Sequence, residues 1–221
     1  MLNNPFPKKQ EAIVEVFEYP IECTIKLPKP KSLNQINFWD VVESRKSVRL
    51  FRKLSIEDIG KILWVSAKVK NLRVQSNGYI LTKRPSASAG ARHPIDICIL
   101  SPILDDSKKF YYYNPFEHSL NKLTFKNDKI KDLKSHLMSI LEIDQVTIFC
   151  FVAHQKRTEA KYGNPISLIW RDAGALTQSI QLTCTALSIN SCPVGSLGEP
   201  FISEIFGQSG NVYSAGIMII G

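Results

Sequence analysis

One domain that mixes strands with helices is the fold class this sequence predicts, and three observations carry it. Ile95–Ser101 and Val146–Ala153 are runs rich in β-branched and other apolar residues, the signature of strands covered on both faces. Ile56, Ile59, Ile62, Leu63 and Val65 fall at helical spacing, and a longer helical pattern runs from Pro165 to Ile189. The chain has 221 residues, which suits one domain with a sizeable core or one subunit of a tight dimer.

The elements follow in order. Residues 1–37 carry Pro5, Pro7, Pro20, Pro28 and Pro30. Proline lacks the N–H that regular elements need, so this segment reads as an extended arm with a short strand at Ala12–Phe17, and residues 38–221 as the domain proper. Asn37 can cap a short helix, Phe38 to Ser44. Ser55 with Asp58 matches a capping box that opens the next helix, so the Arg-rich piece before it is a connector. Val69 to Leu81 is a polar link with Asn77-Gly78 as its turn. Ile95–Ser101 and Phe110–Asn114 read as paired strands, and Ile130, Leu133, Leu137 and Leu141 form one stripe of a helix starting near Asp128. Pro165 suits the first turn of the long helix and Asn190 its exit. Inside it, Asp172-Ala173-Gly174-Ala175 is small enough for another helix to cross closely. Pro200 to Phe206 with Gly207 behind it is a short capped helix, and Ala215–Ile220 a last strand.

Composition narrows the function. Apolar, aromatic and charged residues make up 44%, 10% and 22%, ordinary for a soluble globular protein. The formal charge of +8 favours anionic partners: a phosphorylated cofactor, an acidic substrate, nucleic acid or a membrane surface. The basic residues are scattered, however. Lys126, Lys129, Lys131 and Lys134 alternate with Asp128 and Asp132, as on a solvated helix face, and no basic stripe is interleaved with aromatics, so nucleic acid is not an expected partner. Cys23, Cys98, Cys150, Cys184 and Cys192 form no CxxC pair and sit mostly in apolar runs, which predicts buried free thiols in a reducing compartment and no metal site. Met1 to Gln10 has no apolar signal core, and Val146–Ala153 is too short to span a bilayer, so a cytoplasmic protein without a membrane partner is expected. No GxGxxG stretch is present for a Rossmann-bound nicotinamide.

Three stretches concentrate the chemistry. In Arg45-Lys46-Ser47-Val48-Arg49, a connector can aim two guanidinium groups and a hydroxyl at one point, which suits a phosphate monoester. Standing alone, it would be a solvated basic loop. Arg84-Pro85-Ser86-Ala87-Ser88-Ala89-Gly90-Ala91-Arg92-His93-Pro94 is a run of small residues ahead of a strand. Something flat can approach such a backbone closely, with Ser hydroxyls and N–H groups reaching its polar edges. The third, Ser191-Cys192-Pro193-Val194-Gly195-Ser196, is by itself an ordinary Pro-Gly turn. In this order the three resemble the nitroreductase-like flavoproteins, and within them the SagB-type dehydrogenases. Ile25-Lys26-Leu27-Pro28-Lys29-Pro30 resembles the SagB-type lead-in, Ser88 to Pro94 the S-A-G-[AG]-x-[HY]-P pattern, and Tyr111-Tyr112-Tyr113-Asn114-Pro115 with His118-Ser119-Leu120 the Y-x-Y-x-P…H-x-L segment. The run Gly174…Gln178…Leu182…Leu187 resembles the family's long helix, so the likeness covers residues 25–221.

The resemblance implies an α+β fold, a mixed sheet flanked by helices, assembled as a homodimer with FMN between the subunits. By resemblance Arg45 and Ser47 hold the phosphate side, Lys46 belongs to the same cofactor-binding set, and Arg49 faces the pyrimidine edge, where a reduced flavin gathers negative charge. Ser88, Ala89 and Gly90 lie against the flavin, and Arg92 reaches phosphate or a partner subunit. Pro193, Val194, Gly195 and Ser196 form the turn that presents a backbone N–H to flavin N5. His93 and His118 read as packing and structural residues, with no second ligand at metal spacing. Lys161-Tyr162 matches a pair assigned as acid and base in members that oxidise peptide azoline rings; a helix start is the equal alternative. Many family members continue beyond the last strand, some with a Lys-x-Arg pair that completes the phosphate site. The sequence stops at Gly221, so the phosphate would rely on Arg45, Ser47 and Arg92.

Three functions follow. One is an FMN oxidoreductase that dehydrogenates a heterocycle or peptide, or reduces nitro or quinone compounds with NAD(P)H bound transiently over the flavin. The second is a non-catalytic interaction subunit that keeps the fold. The third, a nucleic-acid-binding protein, rests on the charge alone.

Overall fold

A computed structural model describes residues 3–14, 17–31, 36–125, 128–141, 145–206 and 211–221. The arm contributes two strands, Phe6–Pro7 (β1) and Ile21–Lys26 (β2). Ala12–Val14 is irregular rather than a strand, and residues 15 and 16 of that expected strand lie outside the described residues. Asn37 caps the helix Phe38–Ser44 (α1) by accepting the Trp39 N–H at 3.0 Å. Ile56–Ser66 (α2) opens on the expected capping box: Ser55 Oγ accepts the Asp58 N–H, and the Asp58 carboxylate accepts the Ser55 N–H. The polar link that follows is a hairpin of Asn71–Val74 (β3) and Ile80–Lys83 (β4), turned at Asn77-Gly78, where Gly78 takes φ +80.

Next come Ile95–Leu100 (β5), Tyr111–Asn114 (β6), Ser119–Leu123 (β7), Asp128–Met138 (α3) and Thr147–His154 (β8). Gln155–Glu159 (α4) and Tyr162–Gly163 (β9) lead into Ile166–Ala186 (α5). Ser191–Val194 (β10), Phe201–Phe206 (α6) and Val212–Ile220 (β11) complete the chain. Lys126 and Gly207 lie outside the described residues.

Seven strands form one sheet in the order β10-β11-β8-β5-β6-β7-β2, and every adjacent pair is antiparallel. The expected mixed sheet is therefore corrected to an antiparallel one. The reason is topological. The crossover through α5 joins β8 to β10, which run parallel, but β11 inserts between them and pairs antiparallel with both. On one face Ile95, Ile97, Ile99, Phe149 and Phe151 pack with α2 and α5 residues such as Ile59, Ile62, Ile169 and Ile180. On the other Cys98, Leu100, Ile148, Cys150 and Val152 pack with Leu133 and Leu137 of α3 and Ile202 of α6. Both faces of β5 and β8 are thus covered, which accounts for their apolar runs. No helix among the described residues is long and apolar enough to cross a membrane.

Candidate active site

The Arg45–Arg49 connector lies along β10, an edge strand of the sheet. Asn190 and Gly221 exchange both backbone bonds, at 3.1 and 3.0 Å. Alternation along an antiparallel ladder then turns the backbone groups of Ser191 and Pro193 away from β11. The first of these confirms it: the Ser191 carbonyl accepts the Val48 N–H at 3.1 Å. Pro193 has no donor to offer. Gly195 follows directly on β10 and is exposed; nothing among the described residues accepts its N–H, and a Cβ added there would meet nothing within 4 Å. The connector is pinned twice more. Asn190 Nδ2 donates to the Leu50 carbonyl at 2.7 Å, and Gln181 Nε2 to Ser47 Oγ at 3.4 Å. Arg45 is half-buried, Lys46, Ser47 and Arg49 are exposed, and none of the three basic side chains has an ion pair among the described residues. Ser196 turns inward, its Oγ 2.8 Å from His136 Nε2 and accepting the Gly198 N–H.

The small-residue loop is anchored on α5 by Asp172. Ser88 Oγ donates to Asp172 Oδ2 at 2.5 Å, the Ala89 N–H donates to Oδ1 at 3.0 Å, and Ser88 Oγ accepts the His93 N–H at 2.8 Å. Burial raises the Asp172 carboxyl, which these hydrogen bonds partly offset. Gly90 takes φ +58, and a Cβ there would stand 2.9 Å from both Lys161 Cδ and Tyr162 Oη. The fold thus brings the loop and the Lys161-Tyr162 pair together.

Both are covered by the arm. β1 pairs with β9, placing Phe6 opposite Gly163 and Pro7 opposite Tyr162. The Ala12 N–H donates to the Ala160 carbonyl at 2.9 Å. Glu11 then reaches inward, with Oε2 2.5 Å from Arg92 Nη2 and Oε1 3.4 Å from Lys161 Nζ. The Arg92 hydrogen bond holds the Glu11 carboxyl below its usual range, with burial opposing and Asn77 and Lys161 assisting. Arg92 is buried and stacks on Tyr79, 3.9 Å from the ring centroid, so the structure directs it to the arm.

The Arg45 connector and the Ser88 loop do not meet within one chain. They contact α5 at Gln181 and Asp172, nine residues apart. At about 1.5 Å and 100° per residue, that places them about 13 Å apart along the axis and on opposite faces.

His93 is a packing residue: it is buried, its Nε2 lies 3.0 Å from the Thr82 carbonyl, and burial and the Arg84 charge push it down to about 4. His118 has both ring nitrogens occupied, Nδ1 by Tyr113 Oη at 3.0 Å and Nε2 by the Pro28 carbonyl at 3.3 Å.

Glu11 and Asp172 are site residues that the motifs do not mark, since each acts through partners far away in sequence. Asp96 did carry a signal, an acid inside a buried strand, which demands partners. It receives a bidentate Arg157 at 2.7 and 2.8 Å, with His154 Nε2 and Tyr19 Oη each at 3.0 Å. Burial pushes Asp96 up, but Arg157 and His154 win and hold it well below the carboxylate range.

Comparison with known proteins follows the same lines. The nitroreductase family matches over residues 42–221. Curated proteins give no match. Among solved structures, one described as a nitroreductase of Ralstonia eutropha JMP134 superposes with a TM-score of 0.71 at 20% identity, covering 96% of each chain. A chain of the Escherichia coli microcin synthetase McbBCD complex, solved with truncated pro-MccB17 bound, superposes with a TM-score of 0.57 at 15% identity, covering 88% of this chain and 75% of that one. A nitroreductase-type protein of Desulfovibrio desulfuricans in complex with FMN gives a TM-score of 0.55 at 14% identity, covering 85% of this chain and 87% of that one. With the motifs, the fold and a family match spanning most of its length in agreement, the chain belongs to the nitroreductase family of oxidoreductases.

Proposed function

We propose that the chain is an FMN-dependent dehydrogenase of the SagB type, working as a homodimer on a heterocycle in a small molecule or peptide. The observation that carries the reading is the β10 edge: an open Gly195 N–H at the end of the strand along which the connector lies, with no counter-charge among the described residues for Arg45, Lys46 and Arg49. That donor set fits a phosphorylated flavin. Arg45, Lys46 and Ser47 would hold its phosphate, Arg49 its pyrimidine edge, and Gly195, between Val194 and Ser196, its N5. Arg92 is left out of the phosphate site because Glu11 and Tyr79 occupy it. FMN, when bound, accepts or donates a hydride at N5. The FMN complex of the Desulfovibrio relative supports the cofactor, and the microcin synthetase neighbour supports the branch.

The opposite-face geometry on α5 supports the homodimer, since a second copy can bring its Ser88–Gly90 loop to the first copy's connector. Apolar surface is ready for it: Trp39 and Leu50 are 72% and 79% exposed, and Gly174 leaves the open face of α5 without a side chain. The free thiols, four of five buried, support a reducing, cytoplasmic setting.

In this reading Lys161 takes the carbon-bound proton that leaves with the hydride, Tyr162 assists by hydrogen bonding, and Gly90 keeps space for both. The test is Lys161→Ala. It should keep bound FMN and NAD(P)H-driven quinone reduction, and lose azoline oxidation by about 10²-fold or more. Azoline oxidation at the wild-type rate would remove the base assignment. One observation favours a second reading: Lys161 lies 3.4 Å from Glu11, so it can be a tie for the arm in a general nitro or quinone reductase. Brisk quinone reduction by wild type with no azoline turnover selects that alternative.

A further inference from the structure

A cavity of about 510 Å³ lies between arm residues 12–14, the β3–β4 hairpin and the near ends of β5 and β6. Among the described residues it is lined by three guanidinium groups, Arg84, Arg92 and Arg157, and by two carboxylates, Glu11 and Asp96. Two of the three are matched. Arg157 grips Asp96 with both Nη groups, and Arg92 pairs with Glu11. Arg84 is the surplus. Its Nε donates to Thr82 Oγ1 at 3.3 Å, and no carboxylate among the described residues takes its Nη groups. His93 beside it is neutral at physiological pH and adds no charge. Burial works against the Arg84 charge and the nearby Asp96 supports it, while the Arg84 Nη groups keep no carboxylate of their own among the described residues.

The rest of the lining is apolar and aromatic, including Ile13, Tyr79, Ile80, Tyr112 and Phe116. The volume is that of a small-molecule site. One surplus charge calls for a monoanion, and two parallel N–H groups left on a guanidinium match the two oxygens of a carboxylate. We propose that this cavity binds a monocarboxylate with an apolar or aromatic body, its carboxylate on Arg84. The site is separate from the β10 edge and does not rest on the flavin reading.

The experiment uses the full chain, with 4-phenylbutyrate as the probe and its uncharged amide, 4-phenylbutyramide, as the control. Calorimetric titration should show the acid binding the wild type about 10-fold or more tighter than the amide, as a lost charge-assisted contact implies. Arg84→Met keeps the volume and removes the fork. It should weaken the acid to the level of the amide. Lys83→Met, an exposed neighbour, should bind as wild type does. Equal binding of acid and amide, no binding of the acid, or full binding by Arg84→Met would overturn the proposal. If that variant fails to fold, the wild-type comparison of acid with amide decides alone.

Discussion

Glu11 Oε1 lies 3.4 Å from Lys161 Nζ, so a carboxylate from the proline-rich arm stands against the residue proposed as base. Its other oxygen holds Arg92, whose side chain is 1% exposed. Glu11→Gln would leave that guanidinium buried and unmatched. The expected loss is about 3 kcal/mol, read by denaturant unfolding, together with faster proteolysis of the arm. The pH dependence has a defined sign. The Glu11 carboxyl is depressed in the folded chain, so its contribution is present above the unfolded value of 4.5 and is lost as pH falls through the folded value. Melting temperatures of wild type and Glu11→Gln should therefore converge at acid pH. A gap that stays constant from pH 7 to pH 3 would show that the charge is not the anchor.

Gly90→Ala tests the contact between the small-residue loop and the Lys161-Tyr162 pair. The left-handed conformation alone costs a non-glycine residue about 1–2 kcal/mol. The new Cβ would also press on Tyr162 and on the Lys161 stem. Expected is a stability loss of that order with a change in Tyr162 fluorescence or NMR shifts. An unchanged tyrosine signal would place the pair elsewhere in solution.

Asp172 separates anchoring from charge. Asp172→Ala strands the Ser88 hydroxyl and the Ala89 N–H, at about 1–3 kcal/mol by thermal or denaturant unfolding. Asp172→Asn keeps an acceptor and should lie closer to wild type at pH 7, since burial already disfavours the carboxylate. If both variants lose equally, the acceptor alone does not hold the loop.

The connector arginines should divide their labour. Arg45→Ala is expected to weaken FMN binding by about 1.5–3 kcal/mol in a reconstitution titration. Arg49→Ala is expected to lower the flavin's reduction potential, because it removes a cation from where negative charge gathers; spectropotentiometry reads it. Unchanged affinity in the first and an unchanged potential in the second would cancel these roles.

The parts legible in the sequence were those whose cause is local. Asn37 and the Ser55–Asp58 box cap helices through residues two or three positions away, and the stripe of α5 repeats within its own length. The β2 strand was not legible. Its residues are mostly exposed, so no apolar alternation marks them, and its partner β7 comes from the far end of the fold's first half. The antiparallel order was hidden for the same reason, because nothing in β8 or β10 says that β11 will insert between them. In the site, contiguous motifs announced the connector, the small-residue loop and the Pro-Gly turn. What joins them did not show: Glu11 in a proline-rich arm has no pattern, and Asp172 hides among small residues.

The β10 edge also limits how copies of this chain can associate. An open strand recruits another strand by offering a row of alternating donors and acceptors. Here the Ser191 carbonyl is already bonded to Val48, and Pro193 has no N–H to donate. An edge without those groups is a poor template for a ladder. Growth of the sheet from this side, whether into a continuous two-chain sheet or into an aggregate, is therefore disfavoured, which leaves helices and side chains as the better contacts for a second copy meeting this edge.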